Sequence, residues 1–190
     1  MQTLEIEMNE HRVLFDERDS GFIEQLAGGS KEAFSKVYKE FSARLFKYGY
    51  HLVNEKSVVE DAIHDVFVGL WTNRQQLVTV RSLRAYLLSS VRHAILRKVT
   101  AERRNLLKNN QWVSENLLLG SKNRFEEQDK RINAVRNAIN LLTDKQREII
   151  YLRFYQELSY AEISNLLEIE LQHAYNMASK AYAFLKDHIR

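Results

Sequence analysis

Two stretches of the sequence group side chains in a way that could do chemistry. Residues 81–108 carry Arg81, Arg84, Arg92, Arg97, Lys98, Arg103, Arg104 and Lys108 against one acid, Glu102. Such a segment is the electrostatic footprint of a polyanion partner, and equally the pattern of a solvated basic helix face. Near the C-terminus, Gln172, His173, Asn176 and Lys180 project from the outer side of an apolar-periodic segment. Gln and Asn can pair bidentately with adenine, and His and Lys can donate to acceptors or phosphate. Catalytic signatures are missing: no glycine-rich phosphate loop follows a strand pattern, and no G-x-S-x-G or H-E-x-x-H occurs. Asp61-x-x-His64 approaches half of a di-iron motif but stands alone. With no cysteine there is no thiolate zinc site, disulfide or cysteine nucleophile. The residues point to binding rather than catalysis, with no cofactor, no metal and no small-molecule substrate expected.

Helices must position these groups. The 190 residues include no proline and six glycines, where average usage would give roughly nine prolines. A chain so poor in turn-formers predicts helices joined by short polar turns. Apolar residues recur at three- and four-residue steps in three blocks. These are Phe34, Val37, Tyr38, Phe41 and Leu45; then Val59, Ala62, Ile63, Val66, Phe67, Leu70 and Trp71; then Leu83, Tyr86, Leu87, Val91, Ala94 and Ile95. Ser30 and Ser82 are placed to start the first and third helices, and Ser57 with Glu60 has capping-box spacing before the second. Residues 105–130 are polar, Asn-rich and aperiodic, and predict a linker.

Shorter blocks follow. Ile132, Val135, Ile139 and Leu142 fit one helix. Thr143 with Gln146 caps a second, carrying Ile149, Ile150 and Leu152, and Ser159 with Glu162 caps a third, carrying Ile163, Leu166 and Leu167. The last, from about Leu171, turns Ala174, Ala178, Ala181 and Leu185 inward. Leu158 to Leu185 thus has helix-turn-helix geometry, a pattern shared with ordinary helical hairpins. The expected architecture is all-α: two small helical domains joined by a flexible tether. The formal net charge of +3 is uneven, since residues 1–27 are rich in acids. Neither a signal peptide nor an apolar run of membrane-spanning length is present, so a cytoplasmic protein without membrane insertion is expected.

Residues 141–167, LLTDKQREIIYLRFYQELSYAEISNLL, resemble region 4 of bacterial sigma factors of the extracytoplasmic-function (ECF) group within the sigma-70 family. The matching positions are Gln146, Arg147, Glu148, Arg153, Leu158, Ser159, Tyr160, Glu162 and Ile163. Residues 60–71, EDAIHDVFVGLW, are similar to region 2.2, with Asp61, Asp65, Phe67 and Trp71 in register. Residues 84–98 resemble regions 2.3 and 2.4, and Ala33 to Tyr50 resembles region 2.1. The resemblance implies an extension over 1–20, region 2 over 21–104, a linker over 105–130 and region 4 over 131–190.

It also implies a function: binding core RNA polymerase and directing it to promoter DNA. Asp61, His64, Asp65 and Val68 share the face opposite the apolar stripe and would dock on the polymerase clamp. Arg81, Arg84, Arg92, Arg97 and Lys98 would serve the downstream (−10) element, with 73–84 as its reading loop. Gln172, His173, Asn176 and Lys180 would read the upstream (−35) element, while Arg147 and Arg153 would make backbone or fold contacts. An anti-sigma factor is the implied regulator. The sequence departs from the family pattern at several positions. Glu168 replaces the turn glycine, Glu170 the serine cap, Thr143 a proline and His64 a glutamine. Tyr175 and Met177 stand where basic residues are frequent, and His93 and Arg97 where Asn and Asp are. The rival readings are a sigma-like adaptor that binds protein without reading promoters, and an operator-binding repressor or activator.

Overall fold

The computed structural model describes residues 17–108 and 130–188. The predicted linker at 105–130 falls mostly outside them, as do residues 1–16 and the side chains of Arg103, Arg104, Lys108 and Ile132. No strand occurs among the described residues.

The N-terminal bundle comprises α1 (Glu17–Ala27), α2 (Lys31–Val53), α3 (Lys56–Thr72) and α4 (Leu83–Lys108), with a 3₁₀ helix over Arg74–Thr79. Each helix turns its apolar stripe inward: Val37, Phe41 and Leu45 from α2, Val59, Ala62, Ile63, Val66, Phe67 and Leu70 from α3, and Leu83, Leu87, Val91, Ala94 and Ile95 from α4 are buried. Tyr38 is exposed, and Phe34 and Trp71 are half-buried. These three rings with Phe67 make edge-on and tilted contacts at 4.7–6.0 Å. Ser30 caps α2 by accepting from the Ala33 amide at 3.1 Å, and Ser82 accepts from the Ala85 amide at 3.2 Å.

The expected Ser57–Glu60 box is absent. α3 begins two residues earlier, with Glu55 at its N-cap, and the Ser57 hydroxyl donates to the Glu55 carboxylate at 3.0 Å. The segment expected as a loop after Asn73 is also more ordered. Leu77 anchors the 3₁₀ helix in the core, and Arg84 already lies in α4. Gly49 permits the close approach of three helices: a Cβ there would lie 2.7 Å from Val59 Cγ1 and 2.9 Å from Ile95 Cδ1.

The C-terminal bundle comprises α5 (Lys130–Leu141), α6 (Asp144–Ile150), α7 (Tyr160–Leu167) and α8 (Leu171–His188). Both expected capping boxes form, Thr143 with Gln146 and Ser159 with Glu162. Ala138 of α5 and Leu142, just past its end, are buried. Between α6 and α7 the helix widens into a π segment over Tyr151–Tyr155, which periodicity did not reveal. The two bundles are not merely tethered. Ile149, Leu152, Leu158, Ile163, Leu166 and Ala178 join the same buried cluster as the core of α1–α4.

Candidate functional site

α8 is divided by face into a buried apolar side and an exposed polar side. Ala174, Ala178 and Ala181 are buried, so α8 lies close against α6 and α7. Gln172, His173, Asn176 and Lys180 all face outward, with the Gln172 amide donating to Asn176 Oδ1 at 3.2 Å. Tyr175 turns back onto Tyr160, ring centroids 4.4 Å apart, and Met177 packs on the core. The turn into α8 ends α7 on Glu168, in the left-handed conformation at φ 55° that glycine ordinarily takes.

α3 is divided in the same way. Asp61, His64, Asp65 and Val68 are exposed along one edge, opposite a fully buried stripe. Asp65 does not stand free on it, since the Lys98 ammonium donates to its carboxylate at 2.8 Å and thereby holds its pKa below the usual value. Beside this edge an apolar groove of about 500 Å³ is lined by Phe34, Tyr38, Phe67, Val68 and Trp71.

The bases over residues 81–97 divide into two sets. Arg81 and Arg97 are exposed. Arg84 and Arg92 are turned toward the second bundle: Arg84 Nη1 donates to the Gln156 carbonyl at 3.3 Å and lies 3.8 Å from Glu157, and Arg92 Nε donates to Glu148 Oε1 at 3.0 Å. Glu148 is buried, and the same oxygen accepts from the Tyr48 hydroxyl at 2.7 Å. His93, beside Arg92, meets Glu168 at 3.1 Å. The sequence pattern assigns Arg84 and Arg92 to nucleic acid and gives no sign of the acidic partners that they and His93 meet in the C-terminal bundle. Arg147 and Arg153 make the fold contacts expected of them. Arg147 donates to the carbonyls of Ile139, Asn140 and Leu142 at the end of α5, and Arg153 to that of Leu158.

The sequence pattern described as "Sigma-70 region 2" matches residues 37–105, and that described as "Sigma-70, region 4" matches residues 132–185. The chain belongs to the sigma-70 family, in its ECF group. Similar curated proteins include the ECF RNA polymerase sigma factor SigK of Mycobacterium ulcerans, 24% identical with 80% of this chain and 83% of the relative covered. The ECF sigma factor SigX of Bacillus subtilis is 23% identical, with 84% of each chain covered. Among solved structures, the fold resembles the sigma factor RpoE in complex with the anti-sigma factor NepR from Bartonella quintana. Its TM-score is 0.62 at 16% identity, covering 82% of this chain and 96% of that one. CnrH in complex with the cytosolic domain of CnrY gives 0.58 at 18% identity, covering 89% and 95%. This sigma factor directs transcription initiation, with core RNA polymerase and promoter DNA as its partners. No described helix is long and apolar enough to cross a membrane.

Proposed function

We propose that this sigma factor works through three surfaces on two domains, region 2 over residues 21–104 and region 4 over 131–190, joined by a linker over 105–130. Asp61, His64, Asp65 and Val68 dock on the clamp of core RNA polymerase. Arg81, Arg84, Arg92, Arg97 and Lys98 engage the −10 element, the backbone by charge and the bases after strand opening. Gln172, His173, Asn176 and Lys180 read the −35 element from the major groove. The observation that carries this reading is the division of α8, three alanines buried and the polar side chains of Gln172, His173, Asn176 and Lys180 exposed. The protein acts in the cytoplasm by binding and performs no reaction of its own. The similar sigma factor RpoE is bound to the anti-sigma factor NepR; the same class of partner is proposed here.

Two weak readers suit such a design. A bidentate base contact discriminates by about 1–3 kcal/mol, so one small domain reaches only the low end of specific binding. Polymerase fixes the spacing of the two and multiplies their preferences. The test is run-off transcription with core polymerase from the same bacterial group on a genomic fragment library. Discrete starts sharing two spaced upstream motifs are expected, lost on reversing Asp61 and Asp65 to lysine. Stable core binding without initiation would instead mark an adaptor, and absence of core binding would overturn the clamp assignment.

A further inference from the structure

The contacts between the two domains have a consistent sense. Along α4, Arg84, Arg92 and His93 each meet an acid from region 4: Glu157 at 3.8 Å, Glu148 at 3.0 Å and Glu168 at 3.1 Å. Glu168 also reaches the rim of a cleft of about 900 Å³ between α3 and α4, whose lining includes Asn73, Tyr86, His93 and Arg97. Glu157 and Glu148 therefore stand against Arg84 and Arg92, two of the cations that the −10 reading assigns to phosphates, and Glu168 against the neighbouring His93.

The backbone supplies an independent observation. Only three non-glycine residues among those described have positive φ, and two of them are Glu157 and Glu168, both at 55°. A side chain in this region costs about 1–2 kcal/mol that glycine avoids. The two left-handed glutamates of region 4 are also the two exposed acids that reach α4. Their side chains contribute little else to their own domain: Glu168 ends α7 through its backbone N–H, as glycine would, and both carboxylates point at region 2.

We propose that region 4 is a built-in phosphate mimic: Glu148, Glu157 and Glu168 close over Arg92, Arg84 and His93, hold the −10-binding face of region 2 shut in the free sigma factor, and release it by exchange for DNA phosphates. The proposal rests on the assignment of α4 to DNA. Closure lowers the apparent DNA affinity by the fraction of molecules that are open. The two exposed pairs are screened by salt, so opening follows ionic strength.

Glycine at the two strained positions separates this device from a merely structural role, because it removes the acids while relieving the backbone. The full chain lacks cysteine, so dyes placed through Lys39→Cys and Ala183→Cys report the distance between domains without competing labels. In this background Glu157→Gly/Glu168→Gly is expected to lower energy transfer and leave the helical signal unchanged. Affinity for a fluorescent 20-nucleotide oligo(dT) should rise roughly 2- to 30-fold, as expected for loss of one exposed ion pair and one exposed histidine–carboxylate contact. The charge-matched variant Glu170→Gln/Asp187→Asn should change affinity less than about twofold, since it leaves the clasp intact. Unchanged energy transfer in the glycine variant overturns the proposal, and so does opening without tighter oligo(dT) binding. Arg97→Ala tests the DNA assignment separately, because Arg97 lies outside the clasp. Weaker oligo(dT) binding by that variant upholds the assignment whatever the clasp does, and unchanged binding removes both.

Discussion

The contact between Tyr48 and Glu148 offers the sharpest test of how the two domains sit together. Tyr48 lies on α2 and Glu148 on α6, 100 residues apart, and the phenol is fully buried with its hydroxyl 2.7 Å from the carboxylate. Burial, reinforced by the nearby Glu148 charge, pushes the Tyr48 pKa well above 10, so the hydroxyl remains a donor throughout the neutral range. Tyr48→Phe removes one hydrogen bond to a charged group and should cost about 1–2 kcal/mol. Glu148→Ala removes that bond together with the Arg92 pair, whose side chains are 18% and 10% exposed, and strands a buried hydroxyl. A loss of about 3–5 kcal/mol is expected. The double variant has no stranded hydroxyl, so it should be no worse than Glu148→Ala alone, giving a coupling of about 1–2 kcal/mol. Urea unfolding of the full chain, followed by helical circular dichroism, measures the cycle. Additivity within about 0.5 kcal/mol would falsify the contact, and with it the packing of region 4 on region 2 in solution.

Two further outcomes follow from the same interior. Burial, then the nearby Arg147 charge, holds the His51 pKa below 6.5, against a weaker opposing pull from Asp144, and the ring stacks on Tyr151 at 4.7 Å. A base with a depressed native pKa is protonated first in the unfolded chain, so stability should fall as pH drops below 6.5 toward the native value. His51→Phe keeps the stack and should flatten that part of a pH series of urea midpoints; an unchanged slope would remove His51 as its source. Gly49→Ala gains about 1 kcal/mol of helix propensity. It also drives a methyl to 2.7 Å from Val59, and the overpacking, about 1–3 kcal/mol, should outweigh the gain. Adding Val59→Ala should recover part of the loss, whereas a more stable Gly49→Ala protein would show that the helices have room to part.

Much of this protein is local chemistry and was readable from the chain. Thr143 with Gln146 and Ser159 with Glu162 act within three residues of each other, and both boxes form as spaced. The stripe Asp61, His64, Asp65 and Val68 and the outer face of α8 follow from helical geometry once the buried stripe is known. Ser57 makes no box because Glu55 takes the N-cap and leaves Ser57 inside the first turn, its hydroxyl donating to the Glu55 carboxylate; a box needs backbone geometry as well as spacing. The π segment also escaped, since apolar periodicity does not record a change of turn within five residues.

The sequence by itself determined where the helices lie, which faces they bury and which family the motifs resemble. Tertiary structure alone decided which charges meet. Arg92 and Glu148 are 56 residues apart, His93 and Glu168 are 75, and nothing in either neighbourhood announces the other. Their meeting depends on the angle and distance at which two bundles pack, set by apolar side chains such as Ile149 and Leu152 in a shared core. Periodicity specifies the face of a helix; it carries no information about which other face will cover it.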